Sequence, residues 1–290
     1  LIKIFGLLAY RRINPPAAEC QKLKGEPLVR LNKALILENT ALAPSYYRMR
    51  LLAPEIAAEA RPGQFIQLRV AEATCTDPLL PRPLSLFRID RTAGEVAVIY
   101  KIVGQGTRIL AGKMAGQTLE LVGPLGNGFT VPETAVAVTL VAGGVGAPPL
   151  FGLAETLKAQ RPTLAIDLFY GGRTRSDLLE LEHWRALGVS VYPITEDGGY
   201  GAKGMVIDLL VVQLRQTPYD YLAACGPQPM LKAVQHLALQ YQLAGELSLE
   251  AHMACGVGAC LGCVLQTTQG YRRVCVDGPV FNLSEVKFDD

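Results

Sequence analysis

Four of the seven cysteines, Cys255, Cys260, Cys263 and Cys275, fall within the glycine-rich run MACGVGACLGCVLQTTQGYRRVCVDGPVF at 253–281. Their spacing is C-x4-C-x2-C-x11-C. A zinc ribbon spreads its ligands over two short knuckles far apart, whereas here three thiols crowd one loop and a single one returns. The first part has the plant-type spacing of [2Fe–2S] ligands, C-x4-C-x2-C followed by a distant fourth cysteine. Gly256, Gly258 and Gly262 suit a loop whose N–H groups must turn inward toward sulfur. The residues favour a [2Fe–2S] cluster over a zinc site, with a metal-free loop as the third alternative. Cys20, Cys75 and Cys225 are scattered, and each alone reads as a small buried hydrophobe. The odd count is too sparse for a disulfide scaffold in a chain of 290 residues.

Other short motifs offer different chemistry. In RPLS at 82–85, Arg82 can pair with a phosphate and Ser85 can hydrogen-bond a ring nitrogen of a stacked cofactor. A plain surface turn is the competing account. IYKIVGQGT at 99–107 is a strand ending in a glycine turn with a hydroxyl, Thr107. That suits a second phosphate contact and is equally common in hairpins. GGVGAPP at 143–149 follows a strand and opens a helix, where glycines admit a phosphate and the helix N-terminus supplies donors. It lacks the full GxGxxG pattern, because Pro148 stands where a further glycine is expected. CGPQPM at 225–230 follows the last strand of the same half, at the edge where ligands of open α/β sheets lie. His183, His236 and His252 form no cluster, and no Ser-His-Asp or paired-carboxylate arrangement stands out, which argues against hydrolysis. Arg173 and Arg175 follow the second strand of that half, where a 2′-phosphate could be met, so NAD and NADP both stay open.

The elements that must position these residues change in kind along the chain. Residues 1–32 lack periodicity, contain Pro15 and Pro16, and read as a loosely ordered arm. From 33 to 130, β-rich runs such as KALILENTAL, GQFIQLRV, LSLFRI and GEVAVIYKIV predict a small antiparallel barrel or sandwich. Between 131 and 245, strand, glycine turn and helix alternate four times, which predicts a parallel sheet wrapped by helices. The expected helices include FGLAETLKAQ, the SDLLELEHWRAL stretch, VIDLLVVQLRQ and PMLKAVQHLALQYQL. Residues 246–290 form a cysteine-bearing tail with little helical pattern. A chain half hydrophobic can bury cores of this extent. Its net charge of +2 gives no sign of a nucleic-acid partner. The uncharged stretch 134–154 is broken by glycines and prolines, so no membrane span is expected. The apolar run IKIFGLLAY is short, and its basic pair Arg11 and Arg12 follows it, the reverse of a signal peptide. A cytoplasmic location is expected.

Taken in order, RPLSLF, IYKIVGQGT, GPLGNGF, VAGGVGAPPL, FYGGRTRSDL, CGPQPML and EAHMACGVGACLGCV with CVDGPVF resemble one family. It is the electron-transfer subunit of class B dihydroorotate dehydrogenase, within the ferredoxin-reductase-like superfamily. The likeness covers about 33–285. The cysteine loop joined to CVDGPVF is its most specific part, whereas RPLS and CGPQPM are common across the superfamily. The resemblance implies an N-terminal antiparallel β-barrel binding FAD (33–130), a central Rossmann-like parallel α/β domain binding NAD(H) (131–245) and a small C-terminal [2Fe–2S] module (246–290). By position, Arg82, Pro83, Leu84 and Ser85 hold the flavin. Ile99, Tyr100 and Lys101, with Gly106 and Thr107, contact the rest of FAD. Gly143, Gly144, Gly146, Cys225, Gly226 and Pro227 line the NADH site, with Cys225 near the nicotinamide; Ser85 and Cys225 are the expected catalytic residues. Cys255, Cys260, Cys263 and Cys275 ligate the cluster.

The same resemblance implies an order. Nicotinamide exchanges two electrons as a hydride and an iron–sulfur cluster carries one, so FAD, which does both, belongs between them. The implied partner is an FMN-containing catalytic subunit, in a heterotetramer of two catalytic and two electron-transfer chains, serving pyrimidine biosynthesis. One alternative is a reductase subunit of the sulfide dehydrogenase or NADH-dependent ferredoxin:NADP reductase type, where the first cluster ligand is by resemblance an aspartate. A zinc-bound docking module without redox role is the other. The arm before residue 33 has no counterpart in the family.

Overall fold

The computed structural model describes residues 30–71, 74–75 and 77–288. The predicted arm thus lies outside the described residues except for 30–32, which already belong to a strand.

The first half is β1 (Arg30–Ala43), β2 (Tyr46–Leu52), α1 (Pro54–Glu59), β3 (Phe65–Leu68), β4 (Arg82–Asp90), β5 (Glu95–Lys101), α2 (Gln105–Ala111) and β6 (Thr118–Leu125). Its strands close into an antiparallel barrel in the order β1-β2-β5-β4-β3-β6, which leaves no free sheet edge. Alternation sends every second side chain inward. Ala34, Ile36, Met49, Leu51, Ile66, Leu68, Leu86 and Val98 fill the barrel core. On β3, therefore, Ile66 and Leu68 point in while Phe65 and Gln67 point out. Cross-strand pairing of Phe65 with Ser85 and of Gln67 with Pro83 puts all four on one outer face.

The second half continues with β7 (Ala137–Gly143), α3 (Ala147–Gln160), β8 (Ala165–Gly172), α4 (Leu181–Ala186), β9 (Ser190–Thr195), β10 (Ala202–Lys203), α5 (Val206–Leu214), β11 (Tyr221–Cys225), α6 (Gln228–Gln240) and β12 (Gly245–Ser248). The chain ends in β13 (Val264–Thr267), β14 (Gly270–Arg273) and β15 (Val280–Asn282). One seven-stranded sheet runs β10-β9-β8-β7-β11-β12-β15. All its pairings are parallel except that of β15 with β12. The strand order reverses between β7 and β11, the crevice where open α/β sheets bind ligands. The apolar stretch 134–154 divides between β7 and α3, and among the described residues no helix is long and apolar enough to cross a membrane.

Two elements differ from expectation. The SDLLELEHWRAL stretch forms a single 3-10 turn, Arg175–Asp177, and the short α4 instead of one helix. Asp177 accepts the N–H groups of Arg173 at 3.0 Å and Thr174 at 3.2 Å, and Glu180 takes a φ of 57°, which breaks a helical run. The cysteine tail is also less separate than a boundary at 246 suggests. Its flanking strands β12 and β15 extend the α/β sheet, and only the segment between them stands apart, carrying the β13–β14 hairpin.

Candidate functional site

A cavity of about 270 Å³ opens where barrel, α/β sheet and cysteine tail meet. The barrel contributes Arg82, Pro83, Leu84 and Ser85 from β4, then Ile99, Tyr100 and Lys101 from β5, and Thr107 from α2. Val145 and Pro148 close it from the GGVGAPP turn; Leu249, Glu250, Ala251 and Met253 close it from the tail. Two motifs separated in sequence thus share one largely apolar wall, suited to a stacked ring system. A larger groove of about 540 Å³, between the barrel and α3–α4, is lined by paired charges such as Arg50 with Glu95 and Arg88 with Glu155. It contains none of the expected site residues.

Strand parity decides which side chains can act. Tyr100 turns its ring into the barrel core, where its hydroxyl donates to Asn39 at 2.9 Å and burial pushes the phenol up to about 12. Ile99 and Lys101 are left on the outer face. Lys101 Nζ lies 3.5 Å from Asp177 and 4.6 Å from the centre of the Tyr46 ring. The Arg82 guanidinium packs on Gly106, where any Cβ would collide with it, and donates to the Leu80 carbonyl at 2.5 Å. Beside it, the first turn of α2 offers N–H groups without intrahelical acceptors. The Thr107 hydroxyl is committed to that turn: it accepts from Val103 N–H at 3.0 Å and Gly104 N–H at 3.3 Å. A phosphate contact from this position therefore falls to the backbone.

At the switch point, the loops after β7 and β11 pack against each other. A Cβ on Gly143 would lie 2.7 Å from Pro227 and 2.8 Å from the Met230 sulfur, and one on Gly146 would enter the Cys225 carbonyl. Gly226 is as tightly set against Gly143. Gly144 differs, with a φ of 51° and open space around it. All six predicted residues of these two loops are thus together. Cys225 is only 2% exposed, and burial, then the charge of Glu250, raise its thiol well above the ordinary range while Ser248 hydrogen-bonds it. Glu250 was not singled out from the sequence. It opens into the cavity, and the protein packed around it raises its carboxyl. Arg175 stacks 4.7 Å over the Tyr200 ring and donates to the Leu178 carbonyl at 2.7 Å, while Arg173 is exposed. His183 pairs with Glu180; His236 and His252 are exposed.

The cysteine loop turns its N–H groups onto sulfur. Cys255 Sγ accepts from Val257 and Cys260, each at 3.4 Å; Cys260 Sγ accepts from Gly262 at 3.4 Å; Cys275 Sγ accepts from Gly258 at 3.2 Å. Positive φ at Gly256 (70°), Gly258 (79°) and Leu261 (58°) makes this inward turn possible. Cys260 is the side-chain neighbour of Cys255, and Cys263 that of Cys275. Burial works against ionisation of Cys255, yet the N–H groups around it hold its thiol down to about 7. Burial and the neighbouring Cys263 push Cys275 up to about 12. Cys263 and Cys275 are buried and Cys260 is exposed, so the group runs from the interior to the surface.

A closed barrel, a parallel sheet with its switch-point loops and a four-thiol loop around one cavity define an NAD-linked flavin and iron–sulfur oxidoreductase subunit. The iron–sulfur cluster binding domain of dihydroorotate dehydrogenase B matches residues 250–287, and the oxidoreductase NAD-binding domain matches residues 140–236. The chain is 41% identical over 256 residues to the dihydroorotate dehydrogenase B (NAD(+)) electron transfer subunit of Bacillus velezensis, covering 87% of this chain and 96% of that one. It is 37% identical over 264 residues to the protein of the same name from a Geobacillus species, covering 89% and 99%. Among solved structures, an NADH-dependent reduced ferredoxin-NADP oxidoreductase studied for flavin-based electron bifurcation matches with a TM-score of 0.79 at 29% identity, over 88% of this chain and 89% of that one. A ferredoxin NADP+ reductase from Neisseria gonorrhoeae with bound FAD and NADP shares the fold, with a TM-score of 0.62 at 17% identity over 73% and 91%. The chain belongs to the family of dihydroorotate dehydrogenase B (NAD(+)) electron transfer subunits.

Proposed function

We propose that this chain carries electrons between NAD(H) and the FMN-containing catalytic subunit of a dihydroorotate dehydrogenase, in pyrimidine biosynthesis. FAD fills the cavity, and a [2Fe–2S] cluster sits on Cys255, Cys260, Cys263 and Cys275. The observation that carries this reading is the shared wall: the cavity faced by Arg82–Ser85 is closed by Leu249–Met253, the segment that leads into the cysteine loop. Bound FAD supplies the conversion between hydride exchange with nicotinamide and one-electron exchange with iron–sulfur.

The residues present fit both groups. Arg82 and the first-turn N–H groups of α2 neutralise a diphosphate. Ser85, on the outer face of β4, offers its hydroxyl to the flavin ring. The loops after β7 and β11 bring nicotinamide over the far side, and burial keeps the Cys225 thiol neutral there, a packing and hydrogen-bonding group and no nucleophile. Three thiols on one loop with a distant fourth follow the plant-type [2Fe–2S] spacing, whereas a zinc ribbon spreads its ligands over two knuckles. The stacking of Arg175 on Tyr200 removes one cation from a 2′-phosphate, which supports NAD over NADP. The two-plus-two heterotetramer is part of the same proposal. Metal, sulfide and flavin analysis of the purified chain tests it: iron, sulfide and FAD are expected in a 2:2:1 ratio. Zinc without iron or sulfide overturns the reading.

A further inference from the structure

Gln67 is 2% exposed, and neither its Nε2 nor its Oε1 has a hydrogen-bond partner. A buried amide left in that state is unfavourable unless a partner is supplied. The strand places it where one could arrive. Ile66 and Leu68 fill the barrel, so Gln67 and Phe65 face outward, cross-strand from Pro83 and Ser85 of the flavin-holding strand. Facing them is the cysteine loop. A Cβ on Gly256 would come 2.6 Å from Gln67 Nε2 and 2.8 Å from its Cγ, and Gly256 follows Cys255 directly. Phe65 belongs to the apolar cluster that includes Cys263 and Cys275. The free amide therefore lies between β4 and the cysteine loop.

We propose that Gln67 is a positioning residue that donates through Nε2 to a sulfur of the iron–sulfur group, and that this hydrogen bond raises the group's reduction potential. The inference rests on the [2Fe–2S] reading above. Reduction adds negative charge to the sulfurs, so a donor aimed at them stabilises the reduced state more than the oxidised one. The long amide also explains why glycine stands at 256: any side chain there would displace it.

The test is an EPR-monitored redox titration of the full chain loaded with FAD and iron. Gln67→Met keeps the length of the side chain and removes the donor; Gln67→Leu removes it with a shorter branched chain and, like Met, adds no charge. Both variants are expected to retain iron and FAD and to titrate at a lower cluster potential than the unaltered chain, with the flavin potential unmoved. An unchanged cluster potential in a variant that retains its iron overturns the proposal. If Gln67→Met fails to load, the potential of Gln67→Leu decides by the same criterion. Loss of iron from both, with FAD retained, shows that Gln67 only props the loop and also overturns it. Failure of the unaltered chain to bind iron and sulfide is a different result, because it removes the cluster reading itself before any variant is measured.

Discussion

Arg82 illustrates what one side chain contributes and how much of it a sequence discloses. Its charge, its place in RPLS and the glycine at 106 that admits the guanidinium all point to an anion between β4 and α2. Replacement by alanine removes a charge-assisted hydrogen bond, so Arg82→Ala is expected to weaken FAD by about 1.5–3 kcal/mol, roughly ten- to hundredfold. Flavin fluorescence titration of the apoprotein measures it, and unchanged affinity would show that the diphosphate lies elsewhere. Arg82 and the four cysteines stood out in the sequence because the chemistry proposed for them needs a residue type at a fixed spacing. Tyr100 and Thr107 were legible only as positions: strand parity turned one ring inward, and a local turn consumed the other hydroxyl. Glu250 and Gln67 gave no signal at all, since a lone acid or amide acquires meaning only from what folds against it.

Among elements, the segment 173–184 shows tertiary contacts overriding local pattern. Leu178, Leu179, Leu181 and Trp184 have helix-like spacing, and all four are buried, yet the chain there bends to dock on the barrel. Asp177 accepts a hydrogen bond from the Tyr46 hydroxyl and pairs with Lys101, while Glu180 pairs with Arg48 at 2.8 Å. Such contacts lie beyond periodicity, as do β12 and β15, which are too short to register a pattern. The regular βα alternation, by contrast, was plain from period and punctuation. Burial works against the Asp177 charge, but Tyr46, the Thr174 N–H and Lys101 hold its carboxyl below the usual value of 3.8. The stabilisation is therefore complete above that value and is lost as pH falls through the lower folded value. Asp177→Asn is expected to cost about 1.5–3 kcal/mol near neutrality. The gap from the unaltered chain should close in acid below about pH 3.8. Urea unfolding across pH measures both; a gap independent of pH would mean that the charge of Asp177 contributes nothing.

At the scale of the whole molecule, the arrangement of cavity and loop dictates an order of events that one substitution can separate. On the proposed reading, NAD(H) reaches the cavity from the switch-point loops, on the α/β side. The cysteine loop leaves the cavity on the tail side, running from the buried Cys263 and Cys275 to the exposed Cys260. Hydride exchange needs the first side alone, and delivery to the catalytic subunit needs the second. Cys263 is 3% exposed in the same apolar cluster as Cys275, so Cys263→Ser changes little in the packing. It does replace a soft thiolate by a harder oxygen, which binds iron less well. The variant is expected to keep FAD and fold but to lose iron or hold it loosely. NADH should still bleach its flavin at an unchanged rate in stopped flow, and a hydride-accepting dye should still be reduced. Turnover coupled to orotate and the catalytic subunit should collapse. Co-purification with that subunit must be checked alongside, since the loop reaches the surface and its disorder could weaken assembly; adding excess catalytic subunit separates the two effects. Coupled turnover that survives in an assembled, iron-free variant would mean that electrons leave the flavin by another path, and that the four cysteines serve only the fold.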